Sequence, residues 1–173
     1  MLRYIALLFL ICSFLFGCTF CPKTTVCFTP NGNCTEQIID VIDGSKKSIF
    51  MQAYEFTSKP IAKSLIRAKE RGVSVEVILD ESQLSSKYSV INHLFTQGIP
   101  IYIDYKPAIA HSKVIIIDNQ KIITGSFNFT YSAQERNTEN LLIIENNDLL
   151  VKKYVKNWYD RQSQSKLYQP VKE

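Results

Sequence analysis

Three observations predict an α/β domain with a mixed, largely parallel-type central sheet flanked by helices on both faces. Helix-period segments alternate with short β-branched runs, in strand–helix–strand order. One run, residues 114–117, is apolar throughout, as a strand covered on both faces must be. Asp118-Asn119 then forms a tight turn into another strand, so a hairpin adds antiparallel pairing.

The elements follow in order. Residues 35–43 have helical period, with Ile38, Ile39, Val41 and Ile42 apolar. Asn33 and Glu36 stand at capping-box spacing, and Gly44 follows the end. Residues 47–54 read as a strand. Residues 60–71 form a helix, with Pro60 near its start and Gly72 behind it. Residues 73–79 alternate as a strand, with Val73, Val75, Val77 and Leu79 set against Ser74 and Glu76. A helix over 84–96 is stopped by Gly98, and a short strand covers 100–105. Strands at 121–124 and 140–145 precede a closing amphipathic helix, 147–161, which contains Trp158. No linker, repeat or low-complexity tract interrupts this run. One domain over 35–162 is expected, with a neck at 22–34 and a polar tail at 163–173.

The chain of 173 residues is 46% hydrophobic, which excludes wholesale disorder, and its net charge of +4 permits a polyanionic partner without demanding one. The lysine- and arginine-rich stretches 59–71 and 152–166, taken alone, fit solvated helix faces.

Residues 1–21 have the pattern of a targeting segment: Arg3, then an apolar run of 13 residues from Tyr4 to Phe16, then Gly17-Cys18. Three fates fit: cleavage and release, lipidation at Cys18, or retention as an anchor with membrane association. Each places the body outside the cytoplasm, in the periplasm or cell envelope. All five cysteines lie within the first 34 residues. Cys27 and Cys34 flank Thr29-Pro30-Asn31-Gly32, a strong turn signal, so either a disulfide closing that turn or a pair of thiols fits.

Chemistry is concentrated in residues 111–139. At strand spacing, His111 and Lys113 point to one face. An imidazole beside an ammonium makes a phosphate site: lysine supplies compact charge, histidine a nucleophile or proton donor. Ser126 and Asn128 are likewise two apart, behind Gly125, and their side chains can donate to anionic oxygens. Glu139 can hold an imidazole nitrogen, as the third member of a catalytic triad does. His93, the other histidine, has none of this apparatus and reads as a surface or packing residue. No metal-ligand cluster is evident, and the clustered cysteines do not suggest thiol catalysis.

His111-x-Lys113-x4-Asp118, followed by Gly125-Ser126-x-Asn128, resembles the HKD motif of the phospholipase D superfamily. The short chain and single motif look most like its small bacterial endonucleases, the Nuc and NucT type. Gln52-Ala53-Tyr54-Glu55-Phe56-Thr57 and Asn140-Leu141-Leu142 fit that subgroup, and the resemblance spans roughly residues 26–158. It implies metal-independent, cofactor-free phosphodiester cleavage through a phosphohistidine on His111. Lys113, Ser126 and Asn128 would hold the phosphoryl oxygens, Glu139 would orient His111, and Asp118 would be structural. Such a mechanism needs two histidines, so a homodimer with the site on its two-fold axis is expected. The expected substrate is nucleic acid, single- or double-stranded, with Tyr54, Phe56 and Tyr105 as base-stacking candidates. The alternatives are a lipid phosphodiesterase beside its own anchor and a non-catalytic envelope nucleic-acid-binding protein.

Overall fold

The computed structural model describes residues 21–170. Residues 1–20 of the expected targeting segment, Cys18 among them, lie outside the described residues. Among the described residues no helix is long and apolar enough to cross a membrane.

In chain order the elements are β1 (Lys23–Thr29), α1 (Cys34–Asp43), β2 (Ser48–Ala53), α2 (Lys59–Glu70), β3 (Ser74–Asp80), α3 (Ile91–Thr96) and β4 (Ile101–Asp104). Then come β5 (Lys113–Ile117), β6 (Lys121–Gly125), α4 (Tyr131–Glu135), β7 (Glu139–Glu145), α5 (Asp148–Gln162) and β8 (Lys166–Leu167). All eight strands join one sheet in the order β1-β7-β6-β5-β2-β3-β4-β8.

The sheet is mixed, as expected, but its parallel share is smaller. Only β2–β3 and β3–β4 pair in parallel, and the other five pairings are antiparallel. A parallel pair needs a crossover, and only the connections holding α2 and α3 provide one within the sheet's centre.

Alternation along the strands serves two cores. Ile49, Met51, Val75, Val77, Ile115 and Ile117 face α1, α2 and α3, meeting Ile38, Ile42, Ile61, Leu65 and Leu94. Phe50, Ile78, Val114, Ile116 and Ile122 face α5 and Trp158. The Trp158 ring stacks on Phe50 with centroids 4.5 Å apart, and its Nε1–H donates to the Met51 carbonyl at 3.3 Å. Both faces are therefore covered, which is why 114–117 is apolar at every position.

Four expectations are corrected. The neck at 22–34 contains β1, which pairs with β7 from Lys23 to Thr29; Val26 and Phe28 are exposed, so this edge strand lacks the clean alternation that marks a half-buried one. The tail is ordered in part: β8 pairs with β4, and the Tyr168 hydroxyl donates to Asn92 at 2.8 Å. The helix expected over 84–96 is only Ile91–Thr96, after a 3₁₀ turn at Glu81–Leu84. Serines in between bond the backbone locally, as where Ser89 Oγ accepts from Ile91 N–H, and that competes with helix. Asn33 precedes α1 but its side chain does not cap it; Asn33 Oδ1 accepts from Gln37 instead. Cys27 and Cys34 do form a disulfide, with Cα atoms 5.6 Å apart, closing the turn between β1 and α1.

Candidate active site

Because β2, β3 and β4 are parallel and β5 runs against them, one rim of the sheet collects their C-terminal ends and the start of β5. Ala53 pairs with Lys113, Asp80 with Asp104, and Val114 with Thr124 near the end of β6. The functional side chains all hang from this rim.

The segment that carries His111 is pinned by backbone bonds. Asp104 Oδ1 accepts from Lys106 N–H at 3.2 Å, and Asp80 Oδ2 from Ala110 N–H at 2.7 Å. Ser112 C=O accepts from Tyr54 N–H at 3.0 Å. Asp80 is buried, and its other oxygen accepts from Ser82 N–H at 3.0 Å. Asp104 is held in turn by a two-pronged contact with Arg161 of α5, at 2.6 and 2.8 Å. Arg161 and Asp104 thus join the helix layer to the base of the His111 segment.

His111 and Lys113 meet as their spacing predicts. Lys113 Nζ lies 2.9 Å from His111 Nδ1 and donates to the His111 carbonyl at 2.7 Å. The Tyr54 ring sits 4.4 Å from the imidazole, centroid to centroid, and Lys113 Nζ lies 5.0 Å from the centre of that ring. Lys113 is only 7% exposed. Burial pushes its ammonium below the ordinary lysine range, against the opposing pull of Glu55 and Glu139.

The second half of the motif begins at Gly125, whose φ of +148° and close approach to Asn140 exclude a side chain: a Cβ there would collide with the Asn140 carbonyl oxygen. That approach lets Ser126 and Phe127 N–H both donate to the same carbonyl, at 3.1 and 3.3 Å. Ser126 Oγ donates to Glu139 Oε2 at 2.6 Å, and Asn137 Nδ2 to Glu139 Oε1 at 2.9 Å. Within one chain Glu139 is therefore bonded to Ser126 and Asn137, not to His111. Asn128 Oδ1 is buried and has no hydrogen-bond partner among the described residues.

The chain's similarities agree with this geometry. Residues 38–161 match the family described as cardiolipin synthase, PLD-like domain. A phospholipase D of Rickettsia conorii is 47% identical over 141 residues, covering 82% of this chain and 70% of that protein. The crystal structure of a phospholipase D family member, Nuc from Salmonella typhimurium, superposes with a TM-score of 0.82 at 38% identity, covering 86% of this chain and 99% of that one. NucT from Helicobacter pylori has the same fold, with a TM-score of 0.76 at 22% identity over 85% of this chain and 99% of that one. The chain belongs to the phospholipase D superfamily. The protein is a phosphodiesterase.

In this phospholipase D fold the remaining candidates separate cleanly. Asp118, at the far end of β5, accepts from Lys46, Lys47 and Ser48 N–H at 2.9, 2.6 and 3.0 Å. It is bound to the start of β2, a full strand length from His111. Phe56 is a correction: it is wholly buried and packs edge-on against Phe129 at 6.0 Å, so no base can stack on it. Tyr54 is half-buried and already occupied by His111 and Lys113. Tyr105 is exposed, with Lys166 Nζ 5.5 Å from its ring centre. Sequence patterning did not single out Asp80, Asp104, Asn137 or Arg161. A signal existed for the first two: each is a carboxylate closing an apolar strand, and the two strands lie side by side in register.

Proposed function

We propose that this phosphodiesterase is an endonuclease of low sequence specificity, working through a phosphohistidine at a site shared by two copies of the chain. The carrying observation is the contact between one His111 and one buried Lys113 at the sheet rim. That is half of a two-histidine mechanism. A cavity of about 210 Å³ reaches His111, lined by Gln52, Asp104, Asn157 and Arg161 together with Ala53, Ile78 and Ile109.

In the proposed cycle an imidazole nitrogen attacks phosphorus. The P–O bond to the leaving group breaks, and the second His111 gives that oxygen its proton. The same second histidine then takes a proton from water, whose oxygen displaces the first imidazole from phosphorus. Lys113, Ser126 and Asn128 stabilise charge on the non-bridging oxygens. The acid is the imidazolium, protonated on both ring nitrogens, which is left neutral when Nε2 gives up its proton. A nucleophilic Nε2 needs the ring's proton on Nδ1, facing an acceptor. Glu139 of the second copy supplies one, since Glu139 is engaged away from His111 in its own chain.

A lipid phosphodiesterase is the second reading, favoured by the 47% identity to a protein named phospholipase D. Purified protein given plasmid, single-stranded oligonucleotide and phosphatidylcholine, each with EDTA, separates the two. Nucleic-acid cleavage that survives EDTA supports the proposal. Cleavage lost in EDTA contradicts its metal-independent chemistry, and cleavage of lipid alone favours the second reading. Mixing refolded His111→Ala and wild-type chains in equal amounts tests the shared site. If every site needs both histidines, about a quarter of the activity remains; independent sites leave about half.

A further inference from the structure

A cleft of about 1040 Å³ lies near the catalytic rim, and Lys59, Lys63, Lys87, Tyr88, Thr57 and Tyr131 are among the residues that line it. Its placement is what gives it meaning. Thr57 lies three residues beyond Tyr54, which touches His111, and Tyr131 lies three beyond Asn128. Three extended residues span at most about 10 Å, so the cleft opens within reach of one or two nucleotides from His111.

The cations of α2 and its C-cap residue, Arg71, divide into two groups. Arg67 and Arg71 pair with Asp43, and Lys69 Nζ donates to the Gln97 carbonyl at 2.9 Å. All three of these serve the fold. Lys59 and Lys63, at the other end of the same helix, make no ion pair among the described residues, and both point into the cleft lining. A positive charge in the first helical turn opposes the helix dipole, so Lys59 gains nothing for stability there. Lys87 joins them from the loop before α3, with its Nζ 5.6 Å from the Tyr88 ring centre. Tyr88 and Tyr131 are each 72% exposed. Large aromatic rings held in water next to unpaired lysines suit a strand that offers phosphates and bases in alternation. Glu36 and Glu135 also line the cleft, beside Thr35 and Gln134, and so place any anion toward the lysine side.

We infer that this cleft is an extended subsite for single-stranded nucleic acid, with backbone phosphates on Lys59, Lys63 and Lys87 and a base against Tyr88 or Tyr131. The inference rests on the nuclease reading above, and the test separates their failures. The full chain and its Lys59→Ala/Lys63→Ala/Lys87→Ala variant are compared on a single-stranded 12-mer and on bis(p-nitrophenyl) phosphate, which is too small to enter the cleft while it reacts. Tyr88→Ser is a second, uncharged variant. The expected result is unchanged turnover of the small ester, a KM for the 12-mer raised at least about tenfold by the triple variant, and a salt slope shallower by about 2, at roughly 0.7 per lost phosphate contact on a single strand. Tyr88→Ser raises KM for the 12-mer without changing the slope. An unchanged KM in both variants overturns the subsite. So does a loss of self-association by light scattering, which would make the cleft a contact between copies. A loss of binding to phosphatidylglycerol vesicles with the oligonucleotide unaffected would assign the lysines to lipid headgroups. If the wild type hydrolyses the small ester and neither cleaves nor binds the 12-mer, the nuclease reading itself fails and takes the subsite with it.

Discussion

Lys113 Nζ touches His111 twice, at ring Nδ1 at 2.9 Å and at the backbone carbonyl oxygen at 2.7 Å. The ammonium thus fixes the imidazole's orientation while remaining beside the place where a phosphoryl oxygen would bind. It does so at a cost, because it is buried at the rim of an apolar sheet and its charged form is disfavoured.

That cost gives the first prediction. Lys113→Met should lower kcat by about 10²–10⁴-fold and yet raise the melting temperature at neutral pH. The sign follows from linkage. The folded-state pKa lies below the ordinary 10.5, so the folded chain resists the proton that the unfolded chain holds. Wild-type stability therefore gains as pH rises from the lowered value to 10.5. The variant's advantage should shrink over the same interval. Thermal melts of both proteins from neutral pH to above that value check it.

Asp80 gives the second. Its carboxylate holds Ala110, one residue before His111, and is itself placed by β3. Asp80→Asn puts a donor where one of two N–H groups must be accepted. The segment should shift by a fraction of an ångström or more, and kcat should fall about 10- to 100-fold with KM little changed. A lowered melting temperature with full kcat in the folded range would make Asp80 merely structural.

Asp118 gives the opposite expectation. Its three accepted hydrogen bonds join the β5–β6 turn to the start of β2. Asp118→Ala should cost about 2 kcal/mol, or roughly 4–8 °C in melting temperature for a chain of this size. Below the transition its kcat should stay within about twofold of wild type, despite the residue's place in the motif. Parallel melts and steady-state kinetics decide this.

Much of the site was legible because its residues follow strand periodicity. His111 and Lys113, and Ser126 and Asn128, are each two apart and flank apolar runs that have no other use for polar groups. Asp118 was legible as a turn residue, its φ of +54° being the left-handed conformation that Asp tolerates. What periodicity could not show was the third dimension of the rim. Asp80, Asp104 and Arg161 come from β3, β4 and α5, and only the sheet order brings them under His111. Phe56 misled because an aromatic beside a motif looks the same whether it faces solvent or the core; the bridge from Phe56 to Phe129 turned it inward. The edge strands β1 and β8 were hidden by exposure. A strand paired on one side and wet on the other needs little apolar pattern.

The central claim is that His111 forms a covalent bond to phosphorus. Stereochemistry tests it without trapping an intermediate. A phosphorothioate diester of one configuration, hydrolysed in isotopically labelled water, reports how many in-line displacements occurred at phosphorus. Attack by His111 followed by attack of water is two inversions, so the account predicts net retention of configuration. Net inversion would mean that water attacks phosphorus directly, and would contradict it.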